Sequence, residues 1–119
     1  MALNGKTVLL CVDIGTSSIK GGVIDENGTL RSWNRVGFNE PQGERFDRWS
    51  TDIWITSFRK LLHDLDYIDL LDGVAISGNG PTVVPAGKDG GPLFDALLWL
   101  DGRSNKYPGE PSFFLPKVR

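Results

Sequence analysis

The sequence predicts an α/β fold built on a mixed sheet, with three antiparallel strands, a crossover helix and a fourth strand parallel to the first. Three observations carry this prediction. Runs rich in β-branched and apolar residues at Thr7 to Val12, Ile19 to Asp25 and Thr29 to Val36 are separated by short turns, the pattern of an antiparallel meander. Ile53, Trp54, Phe58, Leu61, Leu62 and Leu65 recur at helical spacing and define one apolar face. Gly73 to Ser77, GVAIS, follows that helix, and a strand reached through a helical crossover lies parallel to an earlier one, so GVAIS is expected beside the first strand in the sheet's interior.

Composition bounds the rest. A chain of 119 residues suits one small domain with a modest core, and its 39% hydrophobic and 24% charged content is that of a globular protein. The formal net charge of -2 gives no general attraction to nucleic acid or to an anionic membrane, and no apolar run is long enough to span a bilayer. Cys11 is the only cysteine, so no internal disulfide can form; its place inside the first strand predicts a buried apolar role rather than a reactive thiol. Met1 to Lys6 lacks the long apolar core of a secretion signal, and the expected location is the cytoplasm.

The first two strands flank the most informative stretch, Asp13-Ile14-Gly15-Thr16-Ser17-Ser18-Ile19-Lys20. A turn holding Gly15 and three successive hydroxyl residues can aim backbone N–H groups and O–H donors at one point, a concavity suited to phosphate oxygens. Asp13 would repel a phosphate directly, but it fits if a magnesium ion with its waters sits between them. Lys20 adds a flexible positive charge on the returning strand. Glycine, threonine and serine also occupy hairpin turns for conformational reasons alone, so the residues by themselves leave both readings open.

Further along, Asp25-Glu26-Asn27-Gly28 reads as a tight reversal. Gly21-Gly22 inside the second strand marks either a bulge or a close backbone approach. Asn39 to Arg48, with Pro41 and Gly43, is expected to be a loop; Ser50 is expected to cap the helix, with Asp52 in its first turn. His63 falls beside the apolar stripe and reads as a surface residue. Asp64, Asp66, Asp69 and Asp72 lack the glycine and terminal glutamate of a calcium loop and read as a solvated connection. The end of the fourth strand is the expected ligand edge. It carries Ser77-Gly78-Asn79-Gly80-Pro81-Thr82, a sharp loop with or without a ligand. Val83 to Ala86 and Leu93 to Trp99 read as strands around the turn Gly87 to Gly91. In Trp99-Leu100-Asp101-Gly102-Arg103, the indole face suits a carbon skeleton and Asp101 and Arg103 offer a hydroxyl acceptor and a donor fork; a core tryptophan beside a loop ion pair is the plainer alternative.

The string DIGTSSIKGGVIDENG resembles the first phosphate-binding segment of the FGGY carbohydrate kinases, members of the actin, sugar kinase and Hsp70 ATPase superfamily. The succession DIGTSSIK, ISGNG, KDGGPLFDALLW and WLDGR is similar to the order of motifs in that family and covers nearly all of residues 7 to 103. The resemblance implies a ribonuclease H-like (actin-like ATPase) mixed sheet, with residues 1 to 119 forming the N-terminal portion of the first kinase domain. It implies ATP and Mg²⁺ as cofactors, Gly15, Thr16, Ser17, Ser18 and Lys20 near the β- and γ-phosphates, and Asp13 near the magnesium through water. It also implies that Asn79, Gly80, Pro81, Thr82, Trp99, Asp101 and Arg103 face a sugar or polyol. The family's catalytic aspartate and adenine pocket come later than this segment, so these residues alone are expected to be inactive. Glycerol kinases carry Arg-Glu, and xylulose kinases Met-His, where this chain has Gly80-Pro81. The resemblance therefore assigns neither glycerol nor xylulose. In the tail, Ser104 to Arg119, the end Phe114-Leu115-Pro116-Lys117-Val118 resembles a family segment that normally follows a further helix and loop, which suggests a missing stretch near Tyr107 to Gly109. A homodimer is among the assemblies expected. The alternative is a non-catalytic, phosphate-binding or structural module of the same fold.

Overall fold

The computed structural model describes residues 7–38 and 48–98. In chain order they form β1 (Val8–Ile14), β2 (Ser18–Asp25), β3 (Leu30–Gly37), β4 (Arg48–Trp49), α1 (Thr51–Asp64), a 3₁₀ turn (Ile68–Leu70), β5 (Gly73–Gly78) and β6 (Ala96–Leu97). The main sheet has the order β3-β2-β1-β5, with β1 antiparallel to β2, β2 antiparallel to β3, and β5 parallel to β1. This is the mixed sheet that the sequence predicts. The first strand runs two residues further than expected, through Asp13 and Ile14, which confines the first turn to residues 15–17.

Alternation along β1 divides its side chains between two faces. Val8, Leu10 and Val12 are buried on the face covered by α1, and they pack with Ile19, Val23, Val36, Leu61 and Leu65 into the core. The helix starts where expected. The Ser50 hydroxyl accepts a hydrogen bond from the Asp52 backbone N–H at 3.3 Å, satisfying one of the donors that a helix N-terminus leaves open. Leu61 then reaches the sheet directly above Gly21, where a Cβ would lie 2.7 Å from the Leu61 Cδ2 atom. Gly21 is thus a close-approach glycine, while the register shift falls one step beyond the glycine pair, between Val23 and Ile24, where β3 carries the extra residue, Arg31.

Four expectations are corrected. β5, expected in the sheet's interior, pairs with β1 but stands at the edge of the described sheet, with most of its residues exposed. Cys11 is exposed: it lies on the opposite face of β1 from Leu10 and Val12, and no helix among the described residues covers that face. A position inside a strand decides burial only together with its parity. Val83 to Ala86 and the described part of Leu93 to Trp99, through Leu98, are not a regular hairpin. Among the described residues, only the bridges Val83↔Leu97 and Ala86↔Pro92 and the two-residue β6, paired with β4, are formed. Pro85 and Pro92 carry no N–H, so a continuous ladder cannot run through them. Asp72 is more than a solvated linker residue, because its Oδ2 atom accepts from the Val8 N–H at 2.8 Å and ties the connection to the start of β1. His63 is exposed and pairs with Asp64, which also accepts from Lys60; His63 first, and Lys60 after it, hold the Asp64 carboxyl below its ordinary pKa. Among the described residues, no helix is long and apolar enough to cross a membrane. Of the loop expected at Asn39 to Arg48, Arg48 instead opens β4, and residues 39–47, like the tail beyond Leu98, lie outside the described residues.

Candidate functional site

Because β1 and β5 are parallel, their C-terminal ends meet at one edge of the sheet, with Ile14 beside Gly78. The turn at 15–17 and the loop that begins at Asn79 therefore emerge side by side, 63 residues apart in sequence, and the Asn79 Nδ2 atom donates to the Thr16 Oγ1 atom at 3.3 Å. The loop is closed by its own hydrogen bond, from the Thr82 hydroxyl to the Asn79 carbonyl at 2.6 Å. Gly80 and Pro81 form its exposed tip.

The turn is tight. The Gly15 N–H donates to the Ser18 carbonyl at 2.9 Å, and a Cβ on Gly15 would lie 3.2 Å from that oxygen. Glycine is needed here for space beside the chain. Among the described residues the N–H groups of Thr16 and Ser17 have no acceptor, and both residues are exposed. These are the donors the turn offers outward.

On the face opposite α1, direct register places Ser77, Asp13, Lys20 and Arg35 in one row across β5, β1, β2 and β3. Lys20 Nζ donates to Asp13 Oδ2 at 2.9 Å, and the two side chains keep 43% and 51% of their surface exposed. An exposed pair of this kind contributes only about 0–1 kcal/mol, so a polyanion or a cation can displace either partner at little expense. A shallow groove continues from the row along the open face, lined by Cys11, Asp13, Lys20, Gly22, Trp33 and Ser77.

Ser18 behaves differently from its two neighbours. As the first residue of β2 it is 2% exposed, and its hydroxyl accepts from the Arg35 Nε–H at 3.0 Å. The structure thus brings together Asp13, Gly15, Thr16, Ser17, Lys20 and Asn79, while Ser18 supports the turn from within. Trp99, Asp101 and Arg103 lie outside the described residues. Sequence reasoning missed Arg35. Its only signal is its register opposite Lys20, which becomes readable once the meander pairing is fixed.

A hydroxyl-bearing hairpin turn beside the end of a parallel strand, on a β3-β2-β1-β5 sheet, defines a ribonuclease H-like (actin-like ATPase) fold. The chain belongs to the FGGY family of carbohydrate kinases: residues 8–108 match the model of the family's N-terminal domain. It is 28% identical over 106 residues to a xylulose kinase of Lactococcus lactis subsp. lactis (strain IL1403), covering 84% of this chain and 21% of that protein. It is 26% identical over 114 residues to a glycerol kinase of Malacoplasma penetrans (strain HF-2), covering 90% and 22% respectively. Among solved structures, the xylulose kinase from Bifidobacterium adolescentis superposes with a TM-score of 0.70 at 26% identity, over 81% of this chain and 18% of that one. The Plasmodium falciparum glycerol kinase with ADP superposes with a TM-score of 0.68 at 19% identity, over 85% and 22%, a likeness of fold. The chain spans about a fifth of the length of the curated relatives it matches.

Proposed function

We propose that this chain supplies the phosphate-binding hairpin and part of the sugar-facing edge of an ATP-dependent kinase that phosphorylates a hydroxyl of a sugar or polyol. The observation that supports this most is the meeting, at one sheet edge, of an outward-facing turn, a weakly held Asp13–Lys20 pair and the Asn79 side chain. In this reading the N–H and hydroxyl groups of Thr16 and Ser17 receive oxygens of the β- and γ-phosphates. Lys20 turns from Asp13 to those oxygens, which are the stronger anion. Gly15 keeps the turn clear of side-chain bulk, and Ser18 fixes its exit into β2.

The Asp13 carboxylate fits a magnesium site. It is a hard oxygen donor, half-exposed at the phosphate-facing edge, and its Oδ1 atom has no partner among the described residues. Asp13 would hold the ion through water, and the bound ion would neutralise charge on the phosphoryl group being transferred. Asn79, Gly80, Pro81 and Thr82, with Trp99, Asp101 and Arg103, would face the acceptor, Asn79 linking that side to the phosphate turn. In this reading the acceptor proton goes to a residue other than those named here, whose part is to bind and position the phosphates.

A non-catalytic module of the same fold is the second reading. It is favoured by Gly80-Pro81, a loop tip with no polar side chain where family members place hydrogen-bonding ones, and by the open space around Gly80. One experiment separates the two. ATP consumption by the intact protein is followed with a panel of acceptors that includes xylulose, glycerol and gluconate. Turnover on one acceptor, reduced about 10²- to 10³-fold by Asp13→Ala with the thermal midpoint retained, supports the kinase. ATP binding with no turnover on any acceptor selects the module. Turnover that Asp13→Ala leaves unchanged removes the magnesium assignment.

A further inference from the structure

The row Ser77–Asp13–Lys20–Arg35 contains two cations in adjacent register positions and one carboxylate. Like charges directly across a strand pair are unfavourable, and here the two are drawn apart. Lys20 leans to Asp13 on one side, and Arg35 leans toward the turn, where its Nε–H is fixed on the Ser18 hydroxyl. That bond uses one of the five guanidinium donors. Among the described residues the Arg35 Nη atoms have no acceptor, and Arg35 is exposed while its Ser18 anchor is buried. A guanidinium anchored at Nε on a buried hydroxyl, with its Nη edge free beside an outward-facing turn, is pre-organised for a multiply charged oxyanion.

We propose that Arg35 is an anion-binding residue of the phosphate site, its Nη groups meeting a polyphosphate alongside Lys20, and that Ser18 serves this site by orienting Arg35. The inference rests on the phosphate reading of the hairpin and adds to it a contact from β3. A bound polyphosphate relieves the Lys20–Arg35 repulsion, so each cation strengthens the binding of the other. Lysine at position 35 would keep the charge and lose the Nε anchor.

The test is the binding of inorganic tripolyphosphate with magnesium to the intact protein, by calorimetry, for the wild type and for Arg35→Gln, Arg35→Lys and Ser18→Ala, each with its thermal midpoint. Arg35→Gln is expected to weaken binding about 10-fold at an unchanged midpoint. Arg35→Lys should restore part of that loss, and Ser18→Ala should lose less than Arg35→Gln because it leaves the cation in place. Wild-type binding that Arg35→Gln does not alter overturns the inference and leaves the phosphate site standing. Equal losses in Arg35→Gln and Ser18→Ala also overturn it, since they assign Arg35 a bracing role alone. No wild-type binding of tripolyphosphate removes the phosphate reading and this inference with it.

Discussion

Asp25 is the most heavily committed carboxylate among the described residues. Its side chain is fully buried; Oδ1 accepts from the N–H groups of Asn27 and Thr29 at 2.9 and 3.0 Å, and Oδ2 accepts from the Arg31 guanidinium. The Arg31 hydrogen bonds, ahead of the two backbone bonds, outweigh burial and lower its pKa from 3.8 to about 2. A carboxyl that is more acidic folded than unfolded stabilises the protein above the unfolded value and loses that contribution as pH falls through the folded one. Unfolding followed by circular dichroism should therefore show stability lost between about pH 4 and pH 2. Arg31→Leu should move that loss to higher pH, and an unchanged acid transition would deny the pair its role. The turn itself was legible, since Asn27-Gly28 signals a reversal and Gly28 has φ of 75°. The burial of Asp25 was not, because local spacing is the same for a buried carboxylate and a surface one. Ser18 and Cys11 teach the same lesson: hydroxyl content and strand membership were readable, but which way each side chain faces depends on the register of neighbouring strands.

At the scale of elements, α1 seats on both β2 and β3. Leu61 is fully buried against Gly21, the glycine with the shortest Cβ approach to an apolar side chain. Leu61→Ala should destabilise by about 2–5 kcal/mol in urea unfolding. Gly21→Ala should cost about 1–3 kcal/mol through overpacking. The double variant should be more stable than the sum of the two losses predicts, because the added methyl enters the space that Leu61 vacates. Strict additivity would contradict the close contact. The helix and its cap were legible from the apolar period and Ser50. The sequence left the glycine pair open between a bulge and a close approach, and packing decides it: the approach is at Gly21 and the bulge lies beyond Gly22. Val83 to Ala86 and Leu93 to Trp99 read as strands because their apolar residues alternate with turn signals, whereas among the described residues Pro85 and Pro92 leave two single bridges and the two-residue β6.

For the molecule as a whole, topology explains why residues far apart in sequence can form one site. The crossover through α1 returns β5 alongside β1, so the first turn and the loop at Asn79 share an edge. That much follows from strand order, and strand order was legible; the charged row on the open face needed the register. The match to the family's N-terminal domain, over residues 8–108, spans the whole of this sheet. We propose that the edge formed by residues 15–17, Lys20 and Asn79 binds phosphate. The most direct test is an amide chemical-shift titration of the protein with magnesium ATP. The expected result is a set of saturating shifts concentrated at Gly15, Thr16, Ser17, Lys20 and Asn79, with the α1 amides unmoved. Saturating shifts elsewhere that leave these five residues still, or no shifts at all, would contradict it.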